Sequence, residues 1–441
     1  APSTQWRRYN RMQKYMRWSA ILVVLMLVLA ACQSDDPGTD GSDEPDESVA
    51  AESMGDGNGD GSAADCDADE FGCIELAEGD PLIIGTALVI TGANESLGLD
   101  SQYGAEVART MTPEIAGHTV EFNHQDDGCS TEGGTAAARA LVSEENIAGV
   151  IGTSCSSAGI PAAEITSAEG ILLISPSNTA PSLTNPDTHE PFYARTAHND
   201  SIQGAAMAEF VCDVLGLTSA ATIDDGSAYA DQLAAVFAAS FPETCDGTIT
   251  AEEAITVGQT DFTGVLENIA ADGPEFLYFP IFVAEGALIT QQARETAGLD
   301  DTILGGADGI LTPDWIAAAG DAANGAYLSG PDLAFSGDFY ADEFLPAYLE
   351  VSGLDAPISV FHAHAYDAYN MLAQAIEEVA FTEDGTTYIP RTALRDAFFG
   401  ISGFEGITGS LTCDENGDCA DAKISVSEVV DGEFERIWPE D

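Results

Sequence analysis

The sequence predicts an α/β protein made of two Rossmann-like lobes with parallel sheets. Three observations carry that prediction. Short apolar runs alternate with alanine-rich segments of helical period, the alternation runs through two successive series, and two runs end in small hydroxylic residues within 149–184, GVIGTSCSSAGIPAAEITSAEGILLISPSNTAPSLT. Alternation of this kind is the pattern of parallel strands joined by crossover helices.

In the first series, strand-like runs at 82–90, 119–124, 147–151 and 171–174 are separated by helix-periodic segments near 101–116, 131–145 and 157–169. The runs 147–151 and 171–174 are apolar throughout, so both read as strands buried on two faces. Ser156 follows one, and Ser177 and Thr179 follow the other, at the carboxyl ends where open α/β sheets bind ligands. Small side chains there leave backbone N–H and C=O groups accessible. Pro161 and Pro176 fix the local turns without adding donors. The second series reads as helix 202–215, strand 220–224, helix 229–240, strand 248–255, helix 261–270, strand 276–279, helix 284–297 and strand 302–304. A long helix with alanine on its packing face follows at 356–379, then a hairpin at 410–429 around an Asp-Glu-Asn-Gly-Asp turn.

At 441 residues the chain can bury a large core in two domains. It carries 75 acidic residues against 13 basic ones, and Arg7, Arg8, Arg11, Lys14 and Arg17 fall in its first segment. A surface this negative repels phosphate backbones and anionic headgroups, so nucleic-acid binding is excluded. Such self-repulsion is relieved by high salt or by an acidic exterior.

The basic segment is followed by an apolar run at 20–31 and then Cys32. Twelve apolar residues are too few to span a bilayer but suit a signal peptide, here 1–31. Leu29-Ala30-Ala31-Cys32 resembles the lipobox of bacterial lipoproteins, which implies cleavage before Cys32 and diacylglycerol on its sulfur. From Cys32 to Asp80 the composition turns to Asp, Glu, Gly and Ser without Lys or Arg, an acidic disordered tether. Within it Asp56, Asn58, Asp60 and Asp67 match a calcium-loop spacing. The last ligand is Asp instead of Glu and no helices flank the loop, so no metal is expected there.

Apart from Cys32 the cysteines number eight, an even count that suggests disulfides outside the cytoplasm. Pairing of sequence neighbours gives Cys66–Cys73, Cys129–Cys155, Cys212–Cys245 and Cys413–Cys419. Zinc finds no CxxC pair or clustered histidines to support it. The Cys129–Cys155 bond would stiffen the loop that carries Ser156.

CSSAGIP followed by EGILLISPSNTAPSLT, with Gln125-Asp-Asp-Gly-Cys129, Arg195-Thr196, Tyr278 and Tyr366-Asp367-Ala368, resembles the leucine/isoleucine/valine-binding proteins of bacterial branched-chain amino-acid ABC transporters. The resemblance implies the type 1 periplasmic-binding-protein fold, a clamp with an interlobe cleft. Lobe 1 would comprise 81–197 and 331–404, and lobe 2 198–330 and 405–441. It also implies no cofactor, a monomer, partnership with ABC permease and ATPase subunits, and a place outside the cytoplasm on a lipid anchor.

The family pattern then assigns roles. The hydroxyl and N–H groups of Ser156 and Thr179 would hold an α-carboxylate. The Ser177 carbonyl, the Thr179 hydroxyl and Asp308 would receive the α-ammonium. Tyr229 and Phe282 would line the pocket with Leu97. The family usually has Glu where Asp308 stands, so the lobes close more tightly or a water intervenes. Phe282 and Leu97 likewise replace aromatic positions that are tyrosine or another ring in the family. Taken singly, each of these residues also fits an ordinary helix cap, core position or solvated acid; their joint placement at strand ends favours the site.

Catalysis fails on its motifs. Gly152-Thr-Ser154-Cys-Ser156 lacks the final glycine of a nucleophile elbow, and His362 and His364, two apart on a helix, face different sides. The scarcity of basic residues, in lobe 1 only Arg109, Arg139, Arg195, Arg391 and Arg395, favours a zwitterion or neutral amide over a dicarboxylate or phosphate. The expectation is therefore a binding protein that captures a branched-chain or similar amino acid. The alternative is a sensing module that presents a short amide or other small zwitterion to a receptor.

Overall fold

The computed structural model describes residues 62–439. The signal segment 1–31, Cys32, and Asp56, Asn58 and Asp60 of the calcium-like run lie outside the described residues, whereas Asp67 is an exposed residue of the helix Ala63–Ala68. Among the described residues no helix is long and apolar enough to cross a membrane.

The chain enters through β1 (Cys73–Ala77) and passes to β2 (Leu82–Leu88), β3 (Glu114–Ile115), β4 (His118–Asp126), β5 (Ile147–Gly152), β6 (Leu173–Ser175) and β7 (Tyr193–Arg195). Strands β2 to β7 form a six-stranded sheet of order β3-β4-β2-β5-β6-β7, parallel except for β3. Every residue of β5 and β6 is buried. One apolar layer, with Ile84, Ile151 and Ile174, packs under the helix His362–Val379. The other, with Ala87, Val150 and Leu173, packs under the helices Thr131–Leu141 and Ser156–Ala168. Burial on both faces is why these strands read as unbroken apolar runs.

A second series supplies β8 (Ser219–Asp224), β9 (Thr248–Ala254), β10 (Phe276–Tyr278), β11 (Ile303–Gly306) and β12 (Tyr327–Pro331). The chain then returns to the first sheet through the helices Leu345–Ser352 and His362–Val379. The short strands β13 (Phe381–Glu383) and β14 (Thr386–Pro390) follow, then β15 (Phe404–Glu405) and β16 (Ser410–Leu411). It ends on β17 (Ile424–Val430) and β18 (Glu433–Trp438). The second sheet runs β18-β17-β12-β11-β10-β8-β9, its five central strands parallel and β17 and β18 antiparallel.

Several expectations are corrected. The tether expected to reach Asp80 gives way to folded chain from Ser62 onward: β1 pairs with β14, burying Ile74 and Leu76, and Cys66–Cys73 ties the preceding helix to it. Two apolar residues in an acidic stretch are too weak a signal for composition to register. The hairpin expected at 410–429 does not form. β16 pairs with β15, while β17 pairs with β12 and β18. The Asp-Glu-Asn-Gly-Asp turn, closed by Cys413–Cys419, instead extends the edge of β7 through Arg195 N–H to Gly417 O (2.8 Å) and Cys419 N–H to Arg195 O (3.1 Å). The lobe-2 segment therefore starts near Lys423 and not at 405, since Leu411 and Cys419 are buried in the core of the first lobe.

The helix expected from 356 starts at His362. There the Asp100 carboxylate accepts the N–H groups of Phe361 (3.0 Å) and His362 (2.8 Å), caps that a helix start requires. Pro161, read as a turn residue, lies inside the helix Ser156–Ala168. Its missing N–H would have served the Ser157 carbonyl, and the Thr131 hydroxyl donates there at 3.3 Å.

Candidate functional site

In the first sheet the winding reverses between β2 and β5, which opens a crevice beyond their carboxyl ends. Buried polar groups stitch its floor. Val89 N–H donates to Ser154 Oγ (3.0 Å), and the Asp127 carboxylate accepts Ser154 N–H (2.6 Å) and Cys129 N–H (2.8 Å). Burial pushes the Asp127 carboxyl up to about 7. The Cys129–Cys155 disulfide joins the same two loops.

Ser156 opens the helix Ser156–Ala168, whose first N–H groups have no intrahelical acceptor. Its hydroxyl oxygen accepts Ala180 N–H (3.2 Å), which leaves the hydroxyl proton for another acceptor. Ser177 turns its hydroxyl inward to the Ser154 carbonyl (2.6 Å), so only its main chain is offered to the crevice. Thr179 is buried, and its hydroxyl makes no well-formed hydrogen bond among the described residues. The loop that bears it is gripped from both sides. Asn178 bonds Thr153, against Gly159, where a Cβ would stand 2.3 Å from Asn178 Oδ1. Arg195 Nη1 donates to the carbonyls of Asn178 (3.2 Å) and Ala180 (3.0 Å), and Arg195 also pairs with Asp418. Arg195, among the described residues the one fully buried arginine, is thus committed to the loop and to Asp418.

The second sheet repeats the reversal between β8 and β10. Tyr229 lies in the first turn of the helix Ala228–Cys245, Phe282 directly precedes the helix Val283–Glu295, and Asp308 follows β11. Tyr229 OH donates to Asp308 Oδ1 (3.1 Å) and accepts Gly309 N–H (3.1 Å), while its ring centre is 5.2 Å from that of Phe282. Gln203 Nε2 donates to the same Asp308 oxygen at 2.7 Å. Leu97, 5% exposed, belongs to one apolar cluster with Val89, Cys155 and Tyr229.

The two walls meet. Ala228 N–H donates to Ser157 Oγ (3.0 Å), Ser182 N–H donates to Gln232 Oε1 (2.9 Å), and Gln232 Nε2 donates to Ser182 Oγ (2.9 Å). At the hinge, Asp200 N–H donates to the Thr179 carbonyl (2.9 Å). Burial raises the Asp200 carboxyl well above its ordinary value, and the charge of Asp308 raises it further; Asp308 itself is raised by burial.

Two switch-point crevices closing on one another describe a clamp, and comparison with known proteins agrees. Residues 81–433 match the periplasmic binding protein family. The chain belongs to that family.

Its named relatives include the Leu/Ile/Val-binding protein homolog 3 of Brucella melitensis, 27% identical over 80% of this chain and 92% of that protein. The leucine-, isoleucine-, valine-, threonine- and alanine-binding protein of Pseudomonas aeruginosa is 28% identical over 79% of this chain and 90% of that protein. A crystal structure of a leucine-binding protein from Thermotoga maritima superposes with a TM-score of 0.73 at 26% identity, covering 81% of this chain and 97% of that one. These are binding proteins and not enzymes, and the chain is likewise a periplasmic binding protein with the type 1 fold.

Within this binding protein, Ser156 and Tyr229 stand in the first turns of helices and Thr179, Phe282 and Asp308 on the segments beyond the strand ends, around the two crevices, with Leu97 in the apolar cluster beside Tyr229. His198, Asp200 and Gln203 went unnoticed in the sequence. They follow β7 and open the next helix, so the strand-end rule that singled out Ser156 applied to them equally.

Proposed function

We propose that this periplasmic binding protein is the extracytoplasmic solute-binding component of an ABC transporter. It captures a branched-chain or similar aliphatic amino acid by lobe closure and delivers it to a membrane permease and ATPase. A signal segment 1–31 and lipid on Cys32 would keep the mature protein at the membrane. One observation carries the reading: the buried Thr179 hydroxyl, without a well-formed hydrogen bond among the described residues, and the uncapped start of the helix that Ser156 opens lie on one lobe, and the Asp308 carboxylate lies on the other. Neutral donors suit an α-carboxylate in a dry cleft, and a buried carboxylate suits an α-ammonium. The relatives whose names carry Leu, Ile and Val support the ligand class.

Closure on a ligand requires that the second lobe add affinity absent in the open form. Asp308, held by Tyr229 and Gln203, supplies it. Calorimetry at high salt with leucine, isoleucine, valine, threonine, alanine and glutamate tests the proposal. Binding of at least one aliphatic amino acid with glutamate silent is expected, and no heat with any aliphatic amino acid overturns it.

A further inference from the structure

Beneath the crevice, His198, Asp200 and Asp308 place one potential metal-ligating atom each within 4.8 Å of one another, and all three side chains are buried. They come from the hinge after β7, the start of the helix Asp200–Glu209 and the loop after β11. The remaining hydrogen bonds of the cluster are informative. His198 is bonded through Nε2 to Gln203, while Nδ1 has no partner among the described residues. Neither oxygen of Asp200, a residue with 0% exposure, makes a well-formed hydrogen bond among the described residues; the Thr179 hydroxyl approaches it, and no cation does. Gln203 therefore holds the imidazole by one nitrogen and Asp308 by one oxygen, leaving the second nitrogen to point elsewhere.

Two neighbouring buried carboxylates need positive charge, since removing each from water costs several kcal/mol unless it is paired. Arg195, the nearest candidate, is spent on Asp418 and on the carbonyls of the 178–180 loop. We propose that in the amino-acid-free protein, where no ligand ammonium sits on Asp308, His198, Asp200 and Asp308 bind one divalent transition-metal ion, with zinc as the ion that best fits one imidazole and two carboxylates, and that zinc and the amino acid exclude one another. A water molecule would complete the shell. Tetrahedral zinc with bonds of about 2.0–2.1 Å sets its donors roughly 3.3 Å apart, a contraction that side-chain rotation supplies. The imidazole selects against magnesium and calcium, which take all-oxygen sites. Gln203 acts as the outer partner that fixes the imidazole, as metal-bound histidines require. His198 also borders a small cavity at the hinge, lined by Thr196, His364, Asp332, Asp421 and Lys423.

The test is made on the full chain, stripped with a chelator and dialysed at high salt against micromolar zinc, with magnesium and calcium in parallel, and without amino acid. One tightly held zinc per chain is expected, with a dissociation constant weakened at least 30-fold in His198→Gln and in Asp200→Asn. His124→Gln, at a partly exposed site distant in the fold, should retain it. The cobalt form should show the visible absorption of a tetrahedral nitrogen–oxygen site. Circular dichroism melts establish that the variants fold. Absence of stoichiometric zinc from the wild type overturns the inference, as does equal retention by both variants or equal uptake of magnesium. Amino-acid calorimetry on the chelated protein is read separately, so failure of the metal site leaves the transport reading intact and the reverse.

Discussion

The backbone N–H of Ala228 donates to the hydroxyl of Ser157 across the cleft at 3.0 Å, joining the first turns of two helices that belong to different sheets. Together with the Ser182–Gln232 exchange it forms a latch that exists only when the lobes are apposed. Each bond is worth about 1 kcal/mol net. Ser157→Ala and Gln232→Ala are each expected to weaken amino-acid affinity about 5-fold through faster dissociation, with the association rate nearly unchanged. Stopped-flow release kinetics decide this; a pure association-rate effect counts against a latch.

Asp308 and Tyr229, 79 residues apart, meet at 3.1 Å. If Asp308 holds the ligand ammonium, Asp308→Asn removes a charge-assisted bond of about 2–3 kcal/mol, so affinity drops roughly 30- to 150-fold. Tyr229→Phe removes only the group that orients the carboxylate and costs about 5-fold. Calorimetry with a bound aliphatic amino acid would measure both. Equal affinity of wild type and Asp308→Asn removes the carboxylate from the ammonium role.

Stability should rise on mild acidification at constant salt. Burial lifts the carboxyls of Asp127 to about 7 and of Asp367 to about 6 in the folded protein, both well above the ordinary aspartate range. The folded state then binds more protons than the unfolded state between roughly pH 4 and 7, so the unfolding free energy falls as pH rises through that window. Asp100 and Asp418 are lowered, so their stabilising effect is lost below the ordinary carboxylate range. A melting-temperature maximum near pH 5, several degrees above the value at pH 8, is expected from calorimetric scans. Asp127→Asn should flatten the slope above pH 5.

The Cys129–Cys155 bond closes a loop of sequence separation 26, worth about 3 kcal/mol by loop entropy. The double variant Cys129→Ala/Cys155→Ala should lower the urea midpoint accordingly and weaken ligand binding, because Cys155 precedes the helix that Ser156 opens. Unchanged affinity with lowered stability assigns the bond to folding alone.

Arg195 and Asp418 lie 223 residues apart, and the guanidinium also serves two carbonyls and Thr184 Oγ1. Arg195→Met leaves those acceptors buried without a donor and is expected to cost about 3–5 kcal/mol. Arg195→Lys should recover little, since an ammonium cannot reproduce the planar fork. Chemical denaturation of both variants provides the measurement, and near-native midpoints for Lys would argue against the fork.

The order of strands and helices was legible because apolar period is a local property: β5 and β6 announce themselves in a few residues. So was the placement of Ser156 and Thr179 just beyond β5 and β6, since the end of an apolar run marks the end of a strand. β1 was hidden by the acidic composition around it, and the divergence of β16 and β17 was hidden because a hairpin and a disulfide-closed turn look alike until their strands find partners.

By itself the sequence determined the α/β class, the two successive series and the surplus of acid, all of which follow from residues near one another in the chain. Only the tertiary structure decided that the Asp-Glu-Asn-Gly-Asp turn seats against β7, that Ser177 turns its hydroxyl inward, and that His198, Asp200 and Asp308 converge with so few partners. Whether a buried polar group is satisfied depends on which distant segments close over it, and closure is a property of the whole packed chain.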